Sequence, residues 1–212
     1  MLRKKDITHL NNPFLIQKQE NVLVNHPTET DWEFSVQKEG ELDAFFLGLN
    51  QNLTIKVLLK GEHAKSNIKC AYLSNKNNKL NIDIQVIHEY KNTTSNQQIK
   101  GLSTDESIVS LTAGIEIPKN TNGCEGYQNH RGILLSDKAK IVATPQLEIW
   151  SEDVICSHGS AVGPLPEEQL FYLQSRGLKK SEAEKILLSC FFNDIVPNEF
   201  DTYIEEWMYQ NV

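Results

Sequence analysis

The feature that most constrains this chain is the alternation of apolar and polar residues in short runs separated by polar turns. Over residues 53–59, Leu53, Ile55, Val57 and Leu59 share one face, and over 81–87 Ile82, Ile84 and Val86 do the same. Successive side chains on an extended strand point to opposite sides, so this period of two predicts half-buried β-strands. Further strand candidates are residues 14–17, 21–24, 32–36, 107–117, 132–136 and 147–150, with Asn-, Lys- and Gly-rich turns such as 74–79 and 119–123 between them. Many short strands with polar turns point to a sandwich, a barrel or a β-solenoid. No fixed-length repeat is visible, so the pattern permits a solenoid without selecting it.

At Pro164 the texture changes to helix. Pro166 occupies the place of a first helical residue, Glu167 and Glu168 follow in the first turn, Leu170, Phe171 and Leu173 give an apolar side, and Arg176 and Gly177 close the helix. A second helix is predicted to start near residue 180, with Ser181 and Glu184 at capping-box spacing and Pro197 as its end. Its expected buried face is Ala183, Ile186, Leu187, Cys190 and Phe191. Phe200, Ile204, Trp207 and Met208 mark a third amphipathic helix. Helices this short do not bury a core alone, so they must dock on the β part or on a partner. The expected division is a β core over 1–163 and a helical segment over 164–212.

Composition narrows the function classes. The chain carries 21 basic and 28 acidic residues, a net charge of −7, with no basic stripe of the kind that binds nucleic acid. Arg3, Lys4 and Lys5, and again Lys179 and Lys180, read as solvated surface. The most apolar runs, 44–49 and 186–192, read as core and fall short of the ~18–20 apolar residues that span a bilayer. The opening MLRKKDITHL lacks the apolar stretch of a secretory signal. Cytoplasmic location with reduced thiols is therefore expected for the cysteines at 70, 124, 156 and 190, which show no zinc spacing.

The stretch CSHGSAVG, residues 156–163, is the candidate site. As a nucleophile, Cys156 would need a histidine facing it across a cleft, whereas His158 stands beside it on the same strand face. Gly159 and Ser160 do not form a nucleophile elbow. As metal ligands, Cys156 and His158 suit iron, an iron–sulfur cluster or zinc, but two ligands do not complete a site. The plain alternative is a small buried cysteine and a hydrogen-bonded strand-end histidine. His88 also reads as a strand-end histidine, Cys124 as a structural turn residue open to exposure, and Cys70 and Cys190 as core. With no phosphate-binding glycine loop and no credible nucleophile pair, the isolated chain is not expected to be an enzyme.

Residues 145–178, PQLEIWSEDVICSHGSAVGPLPEEQLFYLQSRGL, resemble the C-terminal part of SufD-type members of the SufB/SufD family of the SUF iron–sulfur cluster assembly system. Upstream, GYQNHRGILLSDKAKI (126–141) resembles the family's Q-x-N-R-N-L-L-L-S segment, and HEYKNTTSNQQIKG (88–101) its H…T-x-S…K-G segment. The resemblance runs over about residues 81–197. It implies a right-handed parallel β-helix followed by about three short α-helices. It also implies pairing with a SufB-like scaffold and contact with a SufC-like ATPase through those helices. The carry-over places His158, with Cys156 beside it, near a subunit interface where an iron or iron–sulfur cluster forms; the isolated chain would hold no cofactor.

Two departures bear on this. The family commonly carries an N-terminal helical domain, which is not expected in this chain, and its N-R-N reads His130, Arg131, Gly132 here. A divergent homodimeric β-helix binding module and a β-solenoid enzyme remain the competing readings.

Overall fold

The structure is a computed structural model that describes residues 4–6, 14–17, 19–24 and 31–212. Among these, the chain forms strands β1 (Lys4–Asp6), β2 (Phe14–Ile16), β3 (Gln19–Val24), β4 (Asp31–Val36), β5 (Glu41–Leu49), β6 (Leu53–Leu59) and β7 (Lys65–Ser74). It continues with β8 (Lys79–His88), β9 (Thr94–Ser103), β10 (Ile108–Ile117), β11 (Cys124–Leu134), β12 (Lys140–Ile149) and β13 (Val154–Pro164). Helices α1 (Glu167–Ser175), α2 (Lys180–Phe192) and α3 (Asn198–Asn211) follow. The side chain of Arg3 lies outside the described residues.

Odd-numbered strands form one sheet, in the order β1-β3-β5-β7-β9-β11-β13, and even-numbered strands form the other, β12-β10-β8-β6-β4-β2. Every pairing is parallel. Each strand therefore pairs with the next but one in sequence, and the chain winds as a parallel β-solenoid, the β-helix that the resemblance implies. Two all-parallel sheets facing each other bury their inward rows, which are apolar in the early coils: Leu42, Ala44 and Phe46 of β5 face Ile55 and Val57 of β6 in one core cluster.

The repeat is real but uneven. Ile108 pairs with Lys79, 29 residues earlier; Lys140 pairs with Ile108, 32 earlier; Lys65 pairs with Glu41, 24 earlier. Coils of changing length hide a fixed period from the sequence. The corners repeat in conformation rather than in residue type: Glu39, His63 and Asn92 stand in successive coils with φ of 56°, 61° and 57°.

The helices do not cap the end of the solenoid. They cover the outer face of the odd-numbered sheet, where Phe45, Leu47, Ala71 and Leu102 pack on Leu188, Phe192, Phe200 and Trp207. The Phe45 and Phe200 rings lie 4.9 Å apart. This explains why 44–49 reads as a continuous apolar run: both faces of β5 are buried. The expected face of α3 is buried as a unit.

Three helix expectations need correction. Pro166, with ψ of 113°, precedes α1 as its N-cap instead of opening it, and no residue of α1 is buried. The capping contact of α2 comes from Glu182, whose carboxylate accepts the Lys179 backbone N–H at 2.9 Å, and not from Ser181 and Glu184. The buried residues of α2 are Ala183, Leu188 and Phe192, while Ile186 and Cys190 are exposed. The helix leans on the sheet along a stripe rotated from the one expected. Gly177, at φ of 98°, takes the left-handed position expected of it and donates its N–H to Gln174 O.

Candidate functional site

Both sheets end at the same side of the molecule, on β12 and β13, each paired through one edge only. Among the described residues nothing covers this last coil. Its inward residues Ile141, Ala143 and Leu147 are only partly buried, and Val142, Trp150 and Ile155 beside them are exposed. A parallel strand edge left open presents unpaired backbone donors and acceptors to a partner.

Cys156 and His158 sit on β13, in register with Gly126 and Gln128 of β11. Two residues further on, Ser160 aligns with His130. One coil below, Gly126, Gln128 and His130 align with Ser95, Gln97 and Ile99 of β9, and these with Ser66, Ile68 and Cys70 of β7. The interior rows thus pass from hydrocarbon at β5, through the amides of Gln97 on β9 and Gln128 on β11, to thiol, imidazole and hydroxyl at β13.

Cys156 is half-buried against the Ile115, Ile117 and Cys124 cluster. A Cβ on Gly126 would stand 3.3 Å from its Sγ, so the glycine makes room for the thiol. Burial raises the Cys156 pKa, with the Gly126 backbone hydrogen bond opposing and Cys124 adding to the rise. His158 is exposed. Strand geometry keeps the two on one side of β13, the thiol partly covered and the imidazole open to solvent.

The site has a polar floor that sequence reading missed. Gln97 is fully buried and donates Nε2–H to Gly114 O at 2.9 Å. Its Oε1, like the Oε1 of Gln128, is a buried acceptor with no donor among the described residues. His130 is buried between Tyr72 and Ser160, with Nε2 2.8 Å from the Tyr72 hydroxyl and Nδ1 2.9 Å from Ser160 Oγ. Burial lowers the His130 pKa to about 4, which keeps the imidazole neutral at physiological pH. The only signal available in the sequence was the departure at His130, Arg131 and Gly132; its meaning needs the register that joins residues 72, 130 and 160.

The other candidates separate from the site. His88 ends β8 fully buried, with Nδ1 2.7 Å from Thr93 Oγ1 and Nε2 2.8 Å from Ser95 Oγ, and burial lowers its pKa to about 4. It is the satisfied strand-end histidine expected. Cys124 is fully buried and not exposed; its thiol donates to Thr121 O at 2.9 Å. Cys70 is core as expected, whereas Cys190 is exposed on α2. Among the described residues no three His, Cys, Asp or Glu side chains converge on a metal position, so ligands additional to Cys156 and His158 would have to come from elsewhere. Among the same residues no helix is long and apolar enough to cross a membrane.

A family model described as "SUF system FeS cluster assembly, SufBD core domain" matches residues 17–191. The chain is similar to the iron–sulfur cluster assembly protein SufD of Escherichia coli, at 27% identity over 81% of this chain and 41% of that protein. It is also similar to the SufBD family protein ycf24 of Galdieria sulphuraria, at 26% identity over 68% of this chain and 66% of that protein. A third similar chain is the SufBD family protein slr0076 of a Synechocystis strain, at 32% identity over 47% of this chain and 22% of that protein. In each case the aligned part is less than two thirds of the relative's own length.

Proposed function

This chain belongs to the SufBD family of the SUF iron–sulfur cluster assembly system, and from that premise we propose that it works as a SufD-like assembly subunit and not as an enzyme. In this reading the β region, residues 1–163, pairs through its open β12–β13 end with a SufB-like scaffold. The helical segment, residues 164–212, meets a SufC-like ATPase, and the site of action is the cytoplasm. The iron or iron–sulfur cluster is the cargo of the complex, with His158 and Cys156 contributing one half of its site.

The observation that carries the reading is the placement of Cys156 and His158 on the last, singly paired strand of an uncovered solenoid end. Ligands on such a strand face whatever covers it, so a half-site there is completed by a partner. Exposed Val142, Trp150 and Ile155 around the same end favour a protein partner. The helical contact is supported by α1, which buries none of its residues and leaves Phe171 and Tyr172 exposed.

Co-expression with a SufB-like and a SufC-like chain, followed by size-exclusion chromatography, tests the reading. A stable assembly containing all three chains is expected. Elution of this chain apart from both would overturn it. Elution as a symmetric pair of this chain, without the others, would favour the homodimeric module, since the same open edge can pair with a second copy.

A further inference from the structure

A cleft of about 570 Å³ opens between the ends of β11 and β13 and helices α1 and α2. Ile133, Val162, Leu165, Leu187 and Phe191 line it, with Gly132 and Gly163 on the strands. This is the face of α2 that the amphipathic pattern assigned to the core and the structure leaves open. Its size lies in the range of small-molecule sites.

The cleft is not apolar throughout. Arg131 stands at its mouth and also lines an adjoining polar depression of about 190 Å³ with Gln98, Lys100, Asn129 and Asp194. Lys100 and Arg131 are register partners on neighbouring strands, so the two basic side chains leave backbones about 4.8 Å apart. Lys100 is occupied: its ammonium donates to Phe191 O at 2.7 Å and to the Asp194 carboxylate, and it lies 5.1 Å from the Phe191 ring centroid. Arg131 is exposed, and no carboxylate pairs with it among the described residues. Phe191 joins the two parts, its ring in the apolar cleft and its carbonyl on Lys100.

We propose that this cleft binds a small amphiphilic anion, with its hydrocarbon or aromatic body between β13 and α2 and its carboxylate or phosphate on Arg131. The arrangement supplies both halves of such recognition. Apolar walls gain from displacing water, and a guanidinium in a rigid fork takes a carboxylate or phosphate through two parallel hydrogen bonds. Gln98 and Asn129 add amide donors around the same head group. The net charge of −7 on the whole chain makes a local cationic end a selective feature and not part of a general anion-attracting surface. The site stands apart from Cys156 and His158 and does not depend on the assembly reading.

Isothermal titration of the full chain with decanoate, and with decan-1-ol as the uncharged control, tests the proposal. Saturable one-to-one binding of decanoate is expected, with decanol weaker. Arg131→Gln should weaken decanoate about tenfold, the scale of a lost charge-assisted hydrogen bond, and leave decanol unchanged. Ala161, the register partner of Arg131 on the cleft side of β13, is exposed; Ala161→Trp fills the cleft and should abolish both, with the melting temperature of each variant checked against the parent. As a second readout, decanoate should slow alkylation at Cys190, which lines the cleft, when sites are read by mass spectrometry. Equal affinity in parent and Arg131→Gln would overturn the proposal, as would binding that survives Ala161→Trp. Absence of decanoate binding, with Ala161→Trp changing the oligomeric state, would instead make the cleft a seat for protein and also overturn it.

Discussion

Tyr72 reaches across two coils of the solenoid to place its hydroxyl 2.8 Å from His130 Nε2. Its ring lies over Gly101, where a Cβ would stand 2.0 Å from a ring carbon, and its hydroxyl lies 3.2 Å from the Cβ position of Gly132. Tyr72, Gly101 and Gly132 align on successive strands, so the two glycines clear a channel for one aromatic side chain. Gly101→Ala should therefore cost about 1–3 kcal/mol through overpacking. Tyr72→Phe keeps the ring, leaves His130 Nε2 without its partner and should cost about 1–3 kcal/mol. Urea unfolding of the two variants measures both; a neutral Gly101→Ala would mean the ring relocates freely.

The buried histidines tie stability to pH. His88 and His130 both have folded-state pKa values near 4, lowered by burial from an ordinary 6.5. Below about 6.5 the unfolded chain takes up protons that the folded chain cannot, so stability is complete near pH 7 and is lost as pH falls toward about 4. Each imidazole can contribute up to about 3 kcal/mol to that loss. The urea midpoint should drop steadily between those limits. His130→Gln should be less stable at pH 7 yet show a flatter pH dependence, and an unchanged slope would assign the effect to other groups.

What the sequence disclosed and what it withheld follow from which faces are apolar. β6 and β8 alternate cleanly because their inner rows are hydrocarbon and their outer rows solvated. β9 was invisible because its buried inward row begins with Ser95 and Gln97, so burial there has no hydrophobic signature. α2 misled because it is apolar on two sides, one on the sheet through Leu188 and Phe192 and the other at the cleft through Leu187 and Phe191. Cys156 and His158 were readable as a pair from strand spacing and from the family resemblance. The floor of Gln97, Gln128 and His130 was not, since those residues meet only through a register of 30 or 31 residues between coils.

The helices should respond to substitution in two ways. Phe171 and Tyr172 of α1 are 73% and 56% exposed, so changing both to Asp should alter the melting free energy by no more than about 0.5 kcal/mol. The same change should weaken binding to a SufC-like ATPase. Phe200, buried against Phe45, should cost about 3–5 kcal/mol when replaced by Ala. Native ATPase affinity in the α1 double variant, measured by surface plasmon resonance, would move the contact to another part of the segment.

Cys156 and His158 differ in burial, and this allows structural and functional roles to be separated. His158 is exposed at the open end, so His158→Ala removes no buried partner and should leave stability within about 0.5 kcal/mol. Cys156 is half-buried over Gly126, so Cys156→Ser places a hydroxyl among Ile115, Ile117 and Cys124 and should cost about 1–2 kcal/mol. If the pair supplies half of a cluster site, both variants lower the iron and sulfide content of the co-expressed complex while the subunits still assemble. The decisive comparison is His158→Ala, because its thermal unfolding is expected to match the parent and any loss of cluster is then chemical. A lowered melting temperature with normal iron and sulfide content would return His158 to an ordinary strand residue. Loss of cluster in Cys156→Ser alone would assign the half-site to the thiol.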